Sequence, residues 1–304
     1  MDSPSDIKRS EQLTARDGVD IAYEVVGDGP RMLLLANGLG GRLYSWAPLL
    51  EEFGREFRIV TWDYRGIFDS SSPKGLARMS IRDQAEDGRE IMRAEGADRA
   101  VWFGWSMGVQ VALEAAAIHP AAVAGLVLLN GTYGHVFSSA FQPGVRLPFL
   151  PRYIHDLLEF LQQHPEAATL FRRVSKATTF SVLGLFMLLH GRRALTFRPL
   201  LEQYTHDIFQ PEDFVNYLRL FQEIDAHSAY HYLREIDAPS LILSGRWDLL
   251  TPPYQSREMA RKLPHSRHVH VRDGSHFLLV EKPSTVLPEI RTFLQQSVDW
   301  SGAR

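Results

Sequence analysis

The segment Gly104-Trp105-Ser106-Met107-Gly108 is the one best suited to covalent chemistry. It has the form G-x-S-x-G, follows an apolar run and opens an Ala-rich helical pattern. In that strand–turn–helix setting a serine is held on a sharp turn with its Oγ exposed. Glycines at 104 and 108 have no side chains to collide across the turn, and a helix N-terminus beside Ser106 favours developing negative charge. The plainer alternative is a glycine-rich turn with a capping serine. A serine hydroxyl is a weak nucleophile and needs a base. Of the 12 histidines, His276 stands out because Asp273-Gly274-Ser275-His276-Phe277 forms a turn between the last strand and the last helix. Its rivals are less apt, since His268 and His270 fall within that strand and His265 in the loop before it. The base in turn needs a carboxylate to fix its tautomer. Asp248, in Arg246-Trp247-Asp248, stands just past the apolar run Ser240 to Gly245, at the strand end where sites in open α/β sheets form. A surface carboxylate is the ordinary fate of such an Asp. Asp225 and Asp237 are less well placed, and the strand ending in Leu129-Asn130-Gly131 offers no acid. An oxyanion hole would take one donor from the backbone N–H of Met107. The other would be the N–H of Leu39, in the loop Asn37-Gly38-Leu39-Gly40-Gly41, where glycines let the backbone approach a reacting carbonyl. A plain glycine-rich turn is the alternative there.

These residues need a frame. After about a dozen residues that read as a flexible lead-in, Leu13 to Arg16 and Ile21 to Val26 read as a hairpin bounded by Asp17-Gly18 and Gly27-Asp28-Gly29-Pro30. Met32 to Ala36, Phe57 to Trp62, Ala100 to Gly104 and Ala124 to Leu129 are short apolar runs, as in strands buried on both faces. Helical patterns lie between them: Ile81 to Glu95, with Ser80 as N-cap and Gly96 beyond its end, and Met107 to Ile118, stopped by His119-Pro120. The alternation predicts an α/β fold with a mostly parallel, doubly wound sheet. From Thr132 to Arg234 there are helical patterns and no convincing strand. Alternation resumes with Ser240 to Gly245, a helix from Tyr254 to Leu263, a strand from Arg267 to Val271 and a helix from Ser284 to Gln296. Residues 1–131 and 235–304 are thus expected to form the core, and 132–234 an inserted α-helical cap. Structureless loops of roughly a hundred residues are rare in compact domains. The cap is expected over Ser106, with Phe141, Phe149, Leu150, Phe180, Leu183, Phe186 and Met187 packing on the core or lining an acyl pocket.

With these motifs assembled, the chain resembles the α/β-hydrolase superfamily, serine esterase- or lipase-like with a helical lid, from about Leu13 to Gln296. The resemblance rests on NGLGG after the third strand, Asp63-Tyr64-Arg65-Gly66 after the fourth, GWSMG at the elbow, GRWDLLTP around Asp248 and GSH at His276. The order Ser106, Asp248, His276 is that family's order. The chain has Asn37-Gly38 where the family often has His-Gly, and Phe68 in place of the second Gly of D-x-R-G-x-G-x-S. The resemblance implies a serine hydrolase with no metal or organic cofactor. Ser106 would attack an acyl carbonyl, His276 would carry the proton and Asp248 would hold His276. Carboxylic esters of small to medium apolar acyl groups are the expected substrates. Lactonases, C–C bond hydrolases, thioesterases and cofactor-free peroxidases share the triad, and a non-catalytic binding protein on this scaffold would normally have lost one of its members. A serine at 106 excludes the Asp-nucleophile branches.

Composition narrows the partners. With 33 Lys+Arg against 36 Asp+Glu, the net charge of −3 excludes a strongly basic nucleic-acid binder. The chain has no cysteine, which excludes disulfides, a Cys nucleophile and thiolate metal sites. No apolar leader precedes the fold, and a cytoplasmic location is expected. The run Phe180 to Leu189 is ten residues, half of the roughly 20 a membrane-spanning helix needs. Between Phe141 and Leu200 eight Arg/Lys accompany three Asp/Glu. Contact with a membrane or an acyl carrier is one reading of that stretch, and a lid with solvated charges is the other.

Overall fold

The computed structural model describes residues 8–73, 79–139, 149–190, 194–210 and 214–301. Eight strands form one sheet in the order β1-β2-β4-β3-β5-β6-β7-β8. They are β1 (Lys8–Thr14), β2 (Asp20–Val26), β3 (Met32–Ala36), β4 (Arg58–Trp62), β5 (Ala100–Trp105), β6 (Val123–Leu129), β7 (Ser240–Gly245) and β8 (Ser266–Val271). β1 and β2 pair antiparallel, as do β2 and β4, and every pairing from β4 to β8 is parallel.

The first strand differs from expectation. It begins at Lys8, inside the stretch read as a lead-in, and ends before Arg16. Its sequence, KRSEQLT, is exposed apart from the half-buried Leu13, so no apolar alternation marks it. Backbone pairing with β2, from Lys8↔Val26 to Thr14↔Asp20, is what holds it.

The central strands are apolar throughout because both sheet faces are covered. Leu34, Val60, Trp102, Leu126 and Ile242 point into one core, with helices α2 (Ile81–Ala94), α3 (Met107–Ile118) and α9 (Pro253–Lys262). Leu33, Leu35, Ile59, Val101, Phe103, Val127 and Leu241 point into the other, with α1 (Ala47–Phe53), α10 (Leu278–Glu281) and α11 (Pro283–Gln296). The strand period of two sorts alternate residues to opposite faces. α1 follows a 3₁₀ turn at Leu43–Trp46 and has no counterpart in the sequence reading. α2 starts at a capping box: the Ser80 side chain accepts from Asp83 N and the Asp83 side chain accepts from Ser80 N.

Among the described residues five α-helices lie between β6 and β7: α4 (Val136–Ser139), α5 (Leu150–Gln163), α6 (Pro165–His190), α7 (Ala194–Ile208) and α8 (Phe214–Ala226). The stretch returns on itself through a bridge between Gly134 and Ser228, and Ala229 N donates to Tyr133 O at 2.7 Å. α5 buries Leu158 and Leu161 and leaves Tyr153, Leu157 and Phe160 exposed. Phe149 is exposed at 70% and does not serve as a packing residue. Phe141 and the side chains of Leu150, Phe180, Leu183, Phe186 and Met187 lie outside the described residues. Among the described residues no helix is long and apolar enough to cross a membrane.

Candidate active site

All the candidate residues follow the C-terminal ends of parallel strands. The loop 37–41 follows β3, Ser106 follows β5, Asp248 follows β7 and His276 follows β8. A sheet of this kind leaves its crevice at that edge.

Ser106 has φ 56 and ψ −115, a conformation that non-glycine residues avoid. The turn is kept by tight packing. A Cβ on Gly108 would lie 1.9 Å from Ala36 O, so the helix after the serine sits directly against the end of β3. Met107 is the first residue of α3 and is buried. Its N–H therefore has the exposed-donor position of a helix N-terminus.

The His276 Nδ1 is 3.0 Å from each carboxylate oxygen of Asp248. Asp248 is 1% exposed and accepts further bonds from Leu250 N at 3.0 Å, Thr251 N at 2.9 Å and Thr251 Oγ1 at 2.7 Å. A buried carboxylate with this many donors is fixed in position and remains a good acceptor for Nδ1–H. Ser106 and His276 line one cavity of about 180 Å³ together with Leu39, Met107, Thr251 and Leu250. Its remaining walls come from the helices between β6 and β7, including Val136, Phe137, Ile154, Tyr204, Tyr217, Phe221 and Ile224. Among the described residues no hydrogen bond joins Ser106 Oγ to His276, although both line the same cavity; such contacts are often long before substrate binds.

The rival residues have other partners. Asp225 accepts from Phe137 N at 2.7 Å, and Asp237 pairs with His265 at the surface at 3.0 Å. His268 and His270 both contact Ser244 Oγ.

The sequence left several neighbours of this site unread. Trp105 donates from Nε1 to His276 O at 3.0 Å, its ring centroid is 5.7 Å from the imidazole, and it lies against Gly38, where a Cβ would come within 2.7 Å of the indole. One side chain thus braces both the histidine and the 37–41 loop. Asn130, at φ 42, donates from Nδ2 to Ser275 O at 2.5 Å and accepts from Gly245 N at 2.8 Å. It fills the strand end that carries no acid and ties β6 to the histidine loop. Tyr204 of α7 donates from its hydroxyl to Leu39 O at 2.7 Å. Burial raises the hydroxyls of Tyr204 and Tyr217 well above the ordinary phenol range, so both stay protonated.

The motif around Asp63 is a brace for the same loop. Tyr64 OH donates to Asn37 O at 2.6 Å, and Arg42 grips Asp63 at 3.0 and 2.7 Å. Arg65 bonds Asp87 at 2.6 Å and Asp17 at 2.7 Å. Asn37 itself is satisfied: it donates to Trp62 O at 2.8 Å and accepts from Trp46 Nε1 at 2.7 Å. Phe68 takes φ 55 at the position where a glycine is usual, with the Arg42 guanidinium 4.9 Å from its ring centroid. Left-handed backbone there explains the usual glycine.

Comparison with known proteins agrees with this architecture. The alpha/beta hydrolase fold family profile matches residues 31–283. A putative carbamate hydrolase RutD from Pantoea ananatis is 26% identical over 279 residues, covering 90% of this chain and 93% of the relative. The pimeloyl-[acyl-carrier protein] methyl ester esterase of Vibrio atlanticus is 26% identical over 278 residues, covering 90% of this chain and 98% of the relative. Among solved structures, the enol-lactonase from Burkholderia xenovorans superposes with a TM-score of 0.74 at 23% identity, covering 94% of this chain and 100% of that one. The chain belongs to the α/β-hydrolase fold family and is a hydrolase.

Proposed function

We propose that the protein is a serine hydrolase of carboxylic esters with small to medium apolar acyl groups, working through Ser106, His276 and Asp248 and an acyl-enzyme. The observation that carries this reading is the convergence on one mostly apolar cavity of a serine on a strained elbow and a histidine held at 3.0 Å by a buried carboxylate. Ser106 Oγ attacks the acyl carbonyl while His276 Nε2 takes its proton. The tetrahedral oxyanion is met by the N–H groups of Met107 and Leu39. His276 then gives the proton to the leaving alcohol, the C–O bond breaks, and the acyl group stays on Ser106. Water, deprotonated by His276, attacks that ester; as the bond to Ser106 Oγ breaks, His276 returns the proton to Oγ, releasing the acid and the free serine. Asp248 orients the imidazole throughout. Residues 132–234 act as a lid that supplies the acyl walls and excludes water.

Esters with apolar acyl groups are favoured over carbamates because apolar walls reward an alkyl chain and give nothing to a small polar group. The space equals about six water-sized groups. Lengthening the acyl chain by one buried CH₂ should raise kcat/KM about fourfold until the space fills. A series of p-nitrophenyl esters from acetate to laurate, with thioester, lactone and carbamate arms, tests this. An optimum between butyrate and hexanoate supports the reading. A rate indifferent to chain length, or faster turnover of the carbamate, rejects it.

The Tyr204 bond to Leu39 O gives a second expectation. Tyr204→Phe deletes a hydroxyl that holds the oxyanion loop and leaves the ring in place. Losing one such bond is worth up to about tenfold. Because Leu39 N–H acts on the transition state, the loss should appear in kcat with KM nearly unchanged. A rise in KM with kcat intact would mean that Tyr204 only shapes the pocket.

A further inference from the structure

The Ser106 cavity shares its wall with a second and larger groove of about 920 Å³. Two stretches of chain line both. Thr132, Val136 and Phe137 line the Ser106 cavity, while Tyr133 and His135 line the groove. Leu250 and Thr251 line the first, Tyr254 and Arg257 the second. The candidate triad leaves the groove unused.

Its chemistry is specific. Tyr133 and Tyr230 lie against each other with centroids 5.2 Å apart, tilted by 46°. Burial raises the Tyr133 hydroxyl, the neighbouring Tyr254 and Tyr230 raise it further, and Arg261 opposes them. Three phenols therefore gather near one guanidinium. Arg261 is paired with Glu258. Arg257 is exposed and, among the described residues, has no carboxylate partner, so the ionised groups lining the groove carry one net positive charge. Burial, His270 and Arg257 together lower the His268 imidazole, which keeps it uncharged beside that arginine. Ser228 Oγ is buried in the groove wall without a hydrogen-bond partner among the described residues. His135 takes φ 57, a conformation that costs energy in a non-glycine residue and recurs at ligand sites.

We propose that this groove is a second ligand site that binds a small anion carried on an aromatic ring. The ring lies against Tyr133 and Tyr230, and the anion meets the free guanidinium of Arg257 and the phenol hydroxyls. Guanidinium is the donor best matched to carboxylate and phosphate oxygens, and phenol rings pair with another aromatic ring in edge or offset contact. The Lys262 ammonium already lies 3.7 Å from the Tyr230 ring centroid, so an aromatic ligand must share that ring with it, and Lys262 adds a second cation near the anion.

Phenyl phosphate is the probe, titrated into the full chain by calorimetry, with inorganic phosphate as the ringless comparison. This measures binding alone, so it stands apart from whether Ser106 hydrolyses esters. Phenyl phosphate should bind measurably and inorganic phosphate at least severalfold more weakly. Arg257→Gln should weaken phenyl phosphate by roughly tenfold or more, the scale of a hydrogen bond to a charged group. Tyr230→Ala should bring phenyl phosphate down to the level of inorganic phosphate. Both residues are exposed, so the variants should fold, and circular dichroism checks this. Equal affinity in Arg257→Gln and the parent would overturn the site, as would inorganic phosphate binding as tightly as phenyl phosphate, or no binding of either.

Discussion

Replacing Ser106 with alanine is expected to remove ester hydrolysis almost entirely. Every step of the proposed cycle passes through this Oγ, since it forms and then loses the acyl bond. Loss of such a nucleophile costs on the order of 10⁶ in kcat. What remains would come from the oxyanion donors and the cavity alone. The fold should be indifferent. Alanine keeps the Cβ that already sits at φ 56, and the structure gives the Ser106 side chain no cap hydrogen bond to lose. Thermal unfolding of the variant should therefore stay within about 0.5 kcal/mol of the parent. The measurement is hydrolysis of p-nitrophenyl butyrate, with a fluorophosphonate label located by mass spectrometry. Retained activity, or a label on another serine, would place the nucleophile elsewhere.

How much of this was legible in the sequence depended on where each signal lives. β3, β7 and α3 have the bounds their apolar runs and breakers announce, because strands buried on both faces and an Ala-rich helix write their burial into residue type. β1 was misread because an edge strand exposed except at Leu13 is specified mainly by backbone bonds to β2, which leave no mark on side-chain polarity. The candidates Ser106, Asp248 and His276 could be chosen from strand ends and chain order. The residues that brace them were not. Trp105 occupies the variable position of its motif, and its link to His276 O spans 171 residues. Tyr204 reaches Leu39 O across 165 residues from a helix whose sequence reads only as apolar and polar alternation. Asn130 was read only for the acid that its strand end lacks, which says nothing of what its amide does. The structure instead gives a left-handed residue whose amide joins two strand ends. Phe68 shows the opposite limit, since its departure from the usual glycine marks a positive φ that the chain tolerates by packing.

The carboxylate is the part of the assignment with the most rivals, and Asp248→Asn separates them. The parent Oδ1 accepts from Leu250 N and Thr251 N, and these two fixed donors would draw the asparagine oxygen to the same place. The amide NH₂ then occupies the Oδ2 position, 3.0 Å from His276 Nδ1. An NH₂ there donates to Nδ1, so the imidazole proton moves to Nε2. A ring protonated at Nε2 cannot accept the Ser106 proton. The defect is one of tautomer, and the expected loss is about 10⁴ in kcat with the fold and the cavity intact. Asparagine is isosteric and keeps both backbone bonds, so unfolding should show little change, and KM for p-nitrophenyl butyrate should hold. Asp237→Asn serves as the control: its carboxylate pairs with His265 at the surface, and its activity should match the parent. If Asp248→Asn lowers kcat by less than about tenfold, Asp248 is a structural acceptor for the 250–251 turn and another group orients His276.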